Sequence, residues 1–114
     1  MDKIEEFRNF RSKMNEKLIG ADDKVIKRIF SLDAMAFKEN RLDARTKELI
    51  GLTCSLVLRC DDCVKYHLEK CVETGLSKEE ILEGLSLSTL VGGTIVIPHL
   101  RRAYDYLEEL LGEN

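Results

Sequence analysis

Apolar residues recur every three or four positions along almost the whole chain, which is the spacing of one face of an α-helix. The first apolar stripe consists of Ile4, Phe7, Phe10, Met14 and Leu18. Gly20 follows this stripe and favours a helix C-terminus, while Asp22 or Asp23 can cap a second helix. Asp43 can cap a third helix, which runs from about Ala44 to Leu58. The first half of the chain therefore predicts three helices.

Three further helices are predicted in the second half of the chain. The fourth begins within Cys60–Cys63 and ends at Gly75, and Ser77 with Glu80 forms a capping box for the fifth. A pair of glycines then interrupts the pattern before a last amphipathic helix. Because no segment has a convincing two-residue alternation of a strand, we expect an all-α bundle of about six helices.

Two segments carry no charged residue apart from one histidine. Leu49–Leu58 has 10 residues and Gly84–Leu100 has 17 residues. Both are too short to span a bilayer, which takes about 20 mostly apolar residues, so no membrane association is expected. A helix that is apolar on every side must be buried on every side. We therefore expect a homo-oligomer in which a second subunit covers the excess apolar surface, the alternative being a central helix in a monomer.

The charge balance restricts the possible partners. The 114 residues include 18 Lys and Arg against 21 Asp and Glu, which gives a net charge of -3. An acidic chain lacks the basic face that a phosphate backbone requires, so no nucleic-acid binding is expected. The N-terminal segment is charged and contains no apolar signal region, which indicates a cytoplasmic protein. Four cysteines in such a chain are expected to serve redox or metal chemistry rather than a disulfide framework.

Cys60 and Cys63 form a C-x-x-C pair at the predicted start of the fourth helix. The free backbone N–H groups and the dipole of a helix N-terminus favour a thiolate, and the spacing allows a small disulfide ring. His67 lies one turn after Cys63 on the same helical face, about 6 Å along the axis. An imidazole at that position can accept the proton of the thiol directly or through one water molecule. The pattern therefore predicts a redox-active pair with an assisting base.

Two carboxylates inside the pair act against the thiolate. Asp61 and Asp62 suit the helix N-terminus, but a nearby negative charge disfavours a second one. Arg59 and Lys65 offset them in part. We therefore do not expect a strongly acidic thiol, and the contribution of a base such as His67 becomes more important.

A zinc site is an alternative, because His67 and Cys71 follow the C-x-x-C pair. Cys63 and Cys71 are eight residues apart, which is about 12 Å along one helix. They cannot both lie about 2.3 Å from one ion while the helix stays intact. A site with three ligands and one open position stays possible, as do inert buried thiols. The residues therefore favour redox chemistry over a metal site.

The remaining polar candidates have simpler interpretations. Cys54 and Cys71 are expected to be small core residues, since unpaired cysteine is often buried. Glu48 opens an apolar run, and the sequence by itself favours an exposed carboxylate that suits the dipole of the third helix. His99 is expected at a helix start or in an interface, and Arg102, with its neighbour Arg101, on a solvated face.

The combination of a glutamate, the paired cysteines and the histidine is more specific than C-x-x-C alone. The complete pattern is Glu48, Cys60-x-x-Cys63 and His67, followed by Gly75, Glu79-Glu80-Ile81 and Gly92-Gly93. This pattern resembles the carboxymuconolactone decarboxylase superfamily, specifically its alkylhydroperoxidase-D-like branch. The resemblance is strongest over residues 42–110, within a single domain expected to span residues 1–114. One departure is Asp62, which stands where many members have a histidine.

The resemblance implies an all-α fold, assembly into trimers or hexamers, and thiol-dependent peroxidase or disulfide-exchange chemistry without a metal or an organic cofactor. Cys63 would attack a hydroperoxide, and Cys60 would resolve the sulfenic acid into a disulfide that a dithiol electron donor reduces. Glu48 and His67 would form the proton relay that activates Cys63. The alternatives are a non-catalytic redox-sensing module and a carboxymuconolactone-type decarboxylase. The second is disfavoured because the decarboxylases of the superfamily lack the cysteine pair.

Helical geometry alone does not bring Glu48 to His67. Glu48 lies 12 residues before Cys60, about 18 Å along a straight helix. In a simple antiparallel hairpin it would lie well below His67. A steep crossing angle or a bridging water molecule would be needed to join the two side chains.

Overall fold

The computed structural model describes residues 2–113 and contains six α-helices and one short 3₁₀-helix within them. The α-helices are α1 (Lys3–Gly20), α2 (Lys24–Phe37), α3 (Ala44–Val57), α4 (Asp61–Glu73), α5 (Lys78–Gly92) and α6 (Ile97–Leu111). The 3₁₀-helix, Thr94–Val96, joins α5 to α6. The described residues include no strand, so the prediction of an all-α fold of about six helices is confirmed.

The chain divides into two compact units, the first ending at Lys38 and the second beginning at Glu39. In the first unit α1 contacts α2. Asp23 caps α2 by accepting hydrogen bonds from two backbone N–H groups, as its position before the apolar stripe predicts. Neither helix of this unit has a fully buried residue. The single domain over residues 1–114 stays a prediction.

The second unit contains the hydrophobic core. Helix α3 packs against α4 and α5, and α4 also packs against α6. The side chains that are almost completely buried come from α3 to α6 and the 3₁₀-helix: Leu52, Leu56, Leu68, Cys71, Ile81, Leu85, Val96, Tyr106 and Leu107. Helix α4 is therefore held between α3 and α6, and both neighbours contribute polar side chains near its N-terminus.

Capping side chains set the helix starts of the second unit. The carboxylate of Asp43 accepts the backbone N–H of Thr46, and Ser77 with Glu80 forms the predicted capping box of α5. Glu80 also accepts two hydrogen bonds from the guanidinium of Arg45, at 3.1 and 3.2 Å. The same carboxylate thus caps α5 and joins it to the first turn of α3.

The two uncharged segments are only partly covered within one chain. On α3 and its C-terminal turn, Leu52 and Leu56 are buried, whereas Ile50 and Leu58 are 47% and 75% exposed. On α5 the exposed apolar side chains include Leu90, at 81%. Cover by a second subunit stays a prediction. Over the described residues, none of the helices combines the length and the apolar character needed to cross a bilayer.

Candidate active site

The turn that carries the two cysteines is built by the end of α3. The N–H of Arg59 donates to the carbonyl of Leu56, and the N–H of Cys60 donates to the carbonyl of Ser55. This pair of bonds is a Schellman motif, which requires a left-handed residue at the position of Arg59. Arg59 has φ of 61°, unusual for a residue other than glycine, and it turns the chain directly into α4. The helix end therefore fixes the position of the cysteine pair.

Cys60 and Cys63 are joined by a disulfide bond at the N-terminus of α4. Cys60 is the N-cap residue, and its sulfur accepts the backbone N–H of Cys63 at 3.3 Å. The backbone N–H groups of a first helical turn favour negative charge, here at the sulfur of Cys60. Cys63 is exposed and Cys60 is half-buried, so Cys63 is the more exposed residue of the pair.

Glu48 and His67 are in direct contact. The Nδ1 atom of His67 lies 2.9 Å from Oε1 of Glu48, and both side chains are nearly buried. The prediction of an exposed Glu48 is wrong, because the packing of α3 on α4 turns this residue inward against His67. A carboxylate only accepts hydrogen bonds, so Nδ1 carries the hydrogen. Nε2 is then the basic nitrogen of the neutral ring, which is the tautomer that a proton acceptor needs.

A glycine on α3 makes room for the imidazole. A Cβ atom at Gly51 would lie 2.6 Å from Cε1, 2.8 Å from Nδ1 and 2.9 Å from Nε2 of His67. The ring therefore packs directly on the α3 backbone, three residues after Glu48. Sequence reasoning did not identify Gly51. Its position in an uncharged helix, one turn after a candidate carboxylate, is the only signal that could have suggested it.

Cys63 and His67 both lie on α4, one helical turn apart. This placement follows from their spacing, as expected. The four residues of the sequence pattern are therefore brought together by two helices: α4 carries Cys63 and His67 and begins at Cys60, and α3 contributes Glu48.

The other two cysteines differ from each other. Cys71 is completely buried, as expected, and this burial together with the nearby charge of Glu48 raises the pKa of its thiol to about 12. The prediction that Cys54 is a core residue is wrong. Cys54 is exposed and lines an apolar groove of about 510 Å³ between α3 and α5. An uncharged helix in the sequence does not indicate which of its sides the rest of the chain covers.

A second histidine–carboxylate contact lies beside the cysteine pair. Nδ1 of His99, in the first turn of α6, is 2.8 Å from Oδ1 of Asp61. Nη1 of Arg102 is 3.4 Å from Oδ2 of the same carboxylate. The predicted position of His99 at a helix start is confirmed. Arg102 is exposed, as expected of a solvated side chain, but it also contacts Asp61. Sequence spacing could not reveal this cluster, since Asp61 lies about 40 positions before His99 and Arg102.

No group of three or more His, Cys, Asp or Glu side chains within residues 2–113 is arranged to hold a metal ion. Cys60 and Cys63, the first two residues of the alternative zinc site, are bonded to each other. The site is therefore a dithiol–disulfide pair with a histidine–glutamate pair one turn away.

Comparisons with known proteins agree with this description. The sequence model of the carboxymuconolactone decarboxylase family matches residues 23–106, so the chain belongs to this family. The resemblance inferred from the cysteine pattern is therefore confirmed at the level of the family. An uncharacterized protein of the cox locus of Paracoccus denitrificans is 27% identical over 82 residues, which is 72% of this chain and 74% of that protein.

Solved structures with the same fold include TM1620 of Thermotoga maritima. One crystal structure of it superposes with a TM-score of 0.92 at 50% identity, covering 94% of each chain. A second, with a TM-score of 0.89 and 49% identity, covers 96% of this chain and 97% of that one, and its name connects the protein with an antioxidative response. A family member from Legionella pneumophila has a TM-score of 0.86 at 25% identity, over 96% of this chain and 98% of its own.

Proposed function

We propose that the protein reduces hydroperoxides with its Cys60–Cys63 dithiol and is reduced again by a dithiol electron donor. The observation that carries the proposal is a C-x-x-C disulfide at a helix N-terminus with a nearly buried histidine–glutamate pair one turn away. The connection of the relative from Thermotoga maritima with an antioxidative response supports the same conclusion.

The cycle begins with the thiolate of Cys63, which is the exposed cysteine of the pair. Its sulfur attacks one oxygen of the hydroperoxide, the O–O bond breaks, and the leaving alkoxide takes a proton to become an alcohol. Cys63 is then a sulfenic acid. The thiolate of Cys60 attacks this sulfur and displaces hydroxide, which leaves as water, and the disulfide forms. The donor dithiol reduces the disulfide and is itself oxidised to a disulfide.

His67 is proposed to be the base that takes the proton from Cys63. Asp61 and Asp62 make the thiolate unfavourable, so unaided ionisation at neutral pH is limited. A base one turn away removes part of this limit and typically contributes about 10²–10⁴-fold in rate. Glu48 accepts the hydrogen bond from Nδ1 and thereby keeps Nε2 as the proton acceptor. Glu48 is a positioning residue in this scheme.

Turnover of a hydroperoxide tests the proposal directly. Substoichiometric protein is mixed with tert-butyl hydroperoxide and excess dithiothreitol, and peroxide consumption is followed over many equivalents. We expect continuous consumption by the native chain and by Cys54→Ser, and none above background by Cys63→Ser. Consumption that stops after one equivalent would instead indicate a redox-sensing module without turnover, which is the second candidate.

The proposed relay makes a separate prediction about pH. His67→Ala is expected to slow peroxide reduction about 10²-fold at pH 7, with partial recovery at alkaline pH as the thiol ionises without help. Glu48→Gln is expected to be milder, because an amide can still orient the ring. The rate of each variant is measured from pH 6 to pH 10 under single-turnover conditions. An unchanged profile for His67→Ala would assign His67 a structural role only.

A further inference from the structure

The contacts that Asp61 makes with His99 and Arg102 have no part in the peroxide chemistry described above. Asp61 is the first residue of α4 and follows Cys60 directly. Its two carboxylate oxygens are held from one neighbouring helix, Oδ1 by His99 and Oδ2 by Arg102. The carboxylate nearest to Cys60 in the chain is thus engaged by two groups of α6.

The cysteine pair therefore has a histidine–carboxylate contact toward each of its two neighbouring helices. Toward α3, Glu48 contacts His67 in a nearly buried environment. Toward α6, Asp61 contacts His99, whose side chain is 22% exposed, and Asp61 itself is 36% exposed. In the first pair the carboxylate of Glu48 accepts a hydrogen bond from His67 and so orients the imidazole. In the second pair the carboxylate belongs to the residue that follows Cys60, and His99 and Arg102 both contact this carboxylate.

The charge of Asp61 has a direct consequence for the disulfide. Reduction converts the sulfur of Cys60 from a neutral bonded atom to a thiolate, and a carboxylate on the next residue disfavours that charge. A hydrogen bond from Nδ1–H of His99 and the positive charge of Arg102 withdraw part of the negative charge of Asp61. Both contacts therefore favour the reduced state of the couple over the disulfide.

We propose that His99 and Arg102, acting through Asp61, set the reduction potential of the Cys60–Cys63 couple and make Cys60 the leaving thiolate when a donor dithiol reduces the disulfide. All three are positioning residues, since none of them is argued to touch the peroxide. The inference rests on the redox part of the proposed function.

Reduction of the disulfide takes two successive thiol–disulfide exchanges. One donor thiolate attacks the sulfur of Cys63, the more exposed residue of the pair, and the Cys60–Cys63 bond breaks with its electron pair passing to Cys60. The Cys60 thiolate then exchanges a proton with solvent, and its thiolate form is the part of the reduced state that the contacts of Asp61 stabilise. The second donor thiol, once deprotonated, attacks the mixed disulfide, which releases the Cys63 thiolate and the oxidised donor. A leaving thiol of lower pKa departs faster, so counter-charges on Asp61 speed the first step.

The test measures the equilibrium of the couple against mixtures of reduced and oxidised dithiothreitol at pH 7. Free thiols are alkylated, and the masses give the reduced and oxidised fractions. For Arg102→Gln and for His99→Ala we expect the equilibrium to shift about threefold toward the disulfide, which for a two-electron couple is about 14 mV. Asp61→Asn is expected to shift it in the opposite direction.

Arg101→Gln is the matched control. It makes the same change in net charge one position away on α6, but Arg101 lines the groove between α5 and α6, not the Asp61 cluster. We expect no shift from this variant. In an Asp61→Asn background, His99→Ala and Arg102→Gln are expected to lose most of their effect, because the carboxylate through which they act is gone.

Two results would overturn the inference. One is a shift from Arg101→Gln equal to that from Arg102→Gln, which would indicate a general charge effect. The other is an unchanged equilibrium for Arg102→Gln, whose exposed side chain is replaceable without loss of the fold, as circular dichroism checks. The readout needs no peroxide. If the variants shift the dithiol–disulfide equilibrium but the protein does not turn over peroxide, the proposed function is refuted and this inference stands. If the protein turns over peroxide but the variants do not shift the equilibrium, this inference is refuted and the proposed function stands.

Discussion

Glu48 shows what a sequence determines about a single residue and what it leaves open. Cys63 and His67 share one helix, so their separation follows from the helical rise. Glu48 and His67 lie on different helices, and their 2.9 Å contact depends on how α3 crosses α4. Local spacing contains no information on that crossing. The residue pattern identified Glu48 by resemblance, whereas the physical reading of its own helix placed it at the surface.

Gly51 explains why the contact is possible, and it leads to a prediction. Gly51→Ala would place a Cβ atom 2.6 Å from the ring of His67, which is held by Glu48 and cannot move away without breaking that hydrogen bond. We expect peroxide reduction at neutral pH to fall at least about tenfold, part of the effect of removing the base. The Hε1 and Nε2 signals of His67 in NMR spectra should shift as well.

Gly84→Ala is the matched control for this prediction. It also adds a methyl group inside a helix of the same unit, but its Cβ atom meets the end of the flexible side chain of Leu49, at 2.8 Å. We expect Gly84→Ala to change thermal stability and to leave the His67 signals in place. Equal effects of the two variants on the His67 signals would mean that Gly51 has no specific positioning role.

At the scale of helices, starts and ends were predictable because the groups that make them are neighbours in the chain. Asp43 caps α3, Ser77 and Glu80 cap α5, and Gly75, with φ of 92°, ends α4 at the predicted place. The contacts between helices were not predictable. Glu80 was identified as a capping residue, but its bond to Arg45, 35 positions earlier, depends on tertiary packing.

The double role of Glu80 gives a pH-dependent prediction. Bonds from the backbone of Ser77 and the charge of Arg45 hold the pKa of the Glu80 carboxyl below its usual range. A lowered pKa in the folded state stabilises the protein above the unfolded-state pKa, and this contribution is lost as the pH falls through the folded-state value. We expect Glu80→Gln to lower the thermal midpoint at pH 7, with a difference from the native chain that disappears toward pH 3.

The neighbouring residue provides the comparison for Glu80. Glu79→Gln removes the same charge from the same first turn of α5, but Glu79 is not the residue that closes the capping box. We expect a smaller loss at pH 7 from this variant. If thermal unfolding shows equal losses for the two variants, the effect comes from the helix dipole in general rather than from the bonds of Glu80.

At the scale of the whole molecule, the apolar surface exceeds what one chain covers. Cys54 and Leu58 line the groove between α3 and α5, and Leu90 is exposed on α5. The sequence predicted this excess from the absence of charge in two segments. It could not predict which side chains would be left outside, because that depends on which faces of α3 and α5 pack against each other.

This surface predicts the size of the protein in solution. Light scattering in mild buffer should give a mass that is a multiple of the 13.1 kDa chain, with a trimer or a hexamer expected from the family resemblance. Leu90→Glu should lower that mass, since a charged side chain at an apolar contact between subunits is unfavourable.

Ser86→Glu provides the comparison for this experiment. It adds the same charge to an exposed position of α5 at the groove facing α6, and it should leave the mass unchanged. A native mass equal to one chain at micromolar concentration would contradict the predicted assembly.

If the cysteine pair reduces a hydroperoxide and Cys63 attacks it, a sulfenic acid forms on Cys63. The most direct test is to trap the sulfenic acid with a dimedone probe on Cys63→Ser and Cys60→Ser after one equivalent of hydroperoxide, and to locate the adduct by peptide mapping. We expect an adduct on Cys63 in Cys60→Ser, and none on Cys60 in Cys63→Ser. An adduct on Cys60 alone would reverse the two roles, and no adduct at either cysteine would contradict the proposed peroxide chemistry.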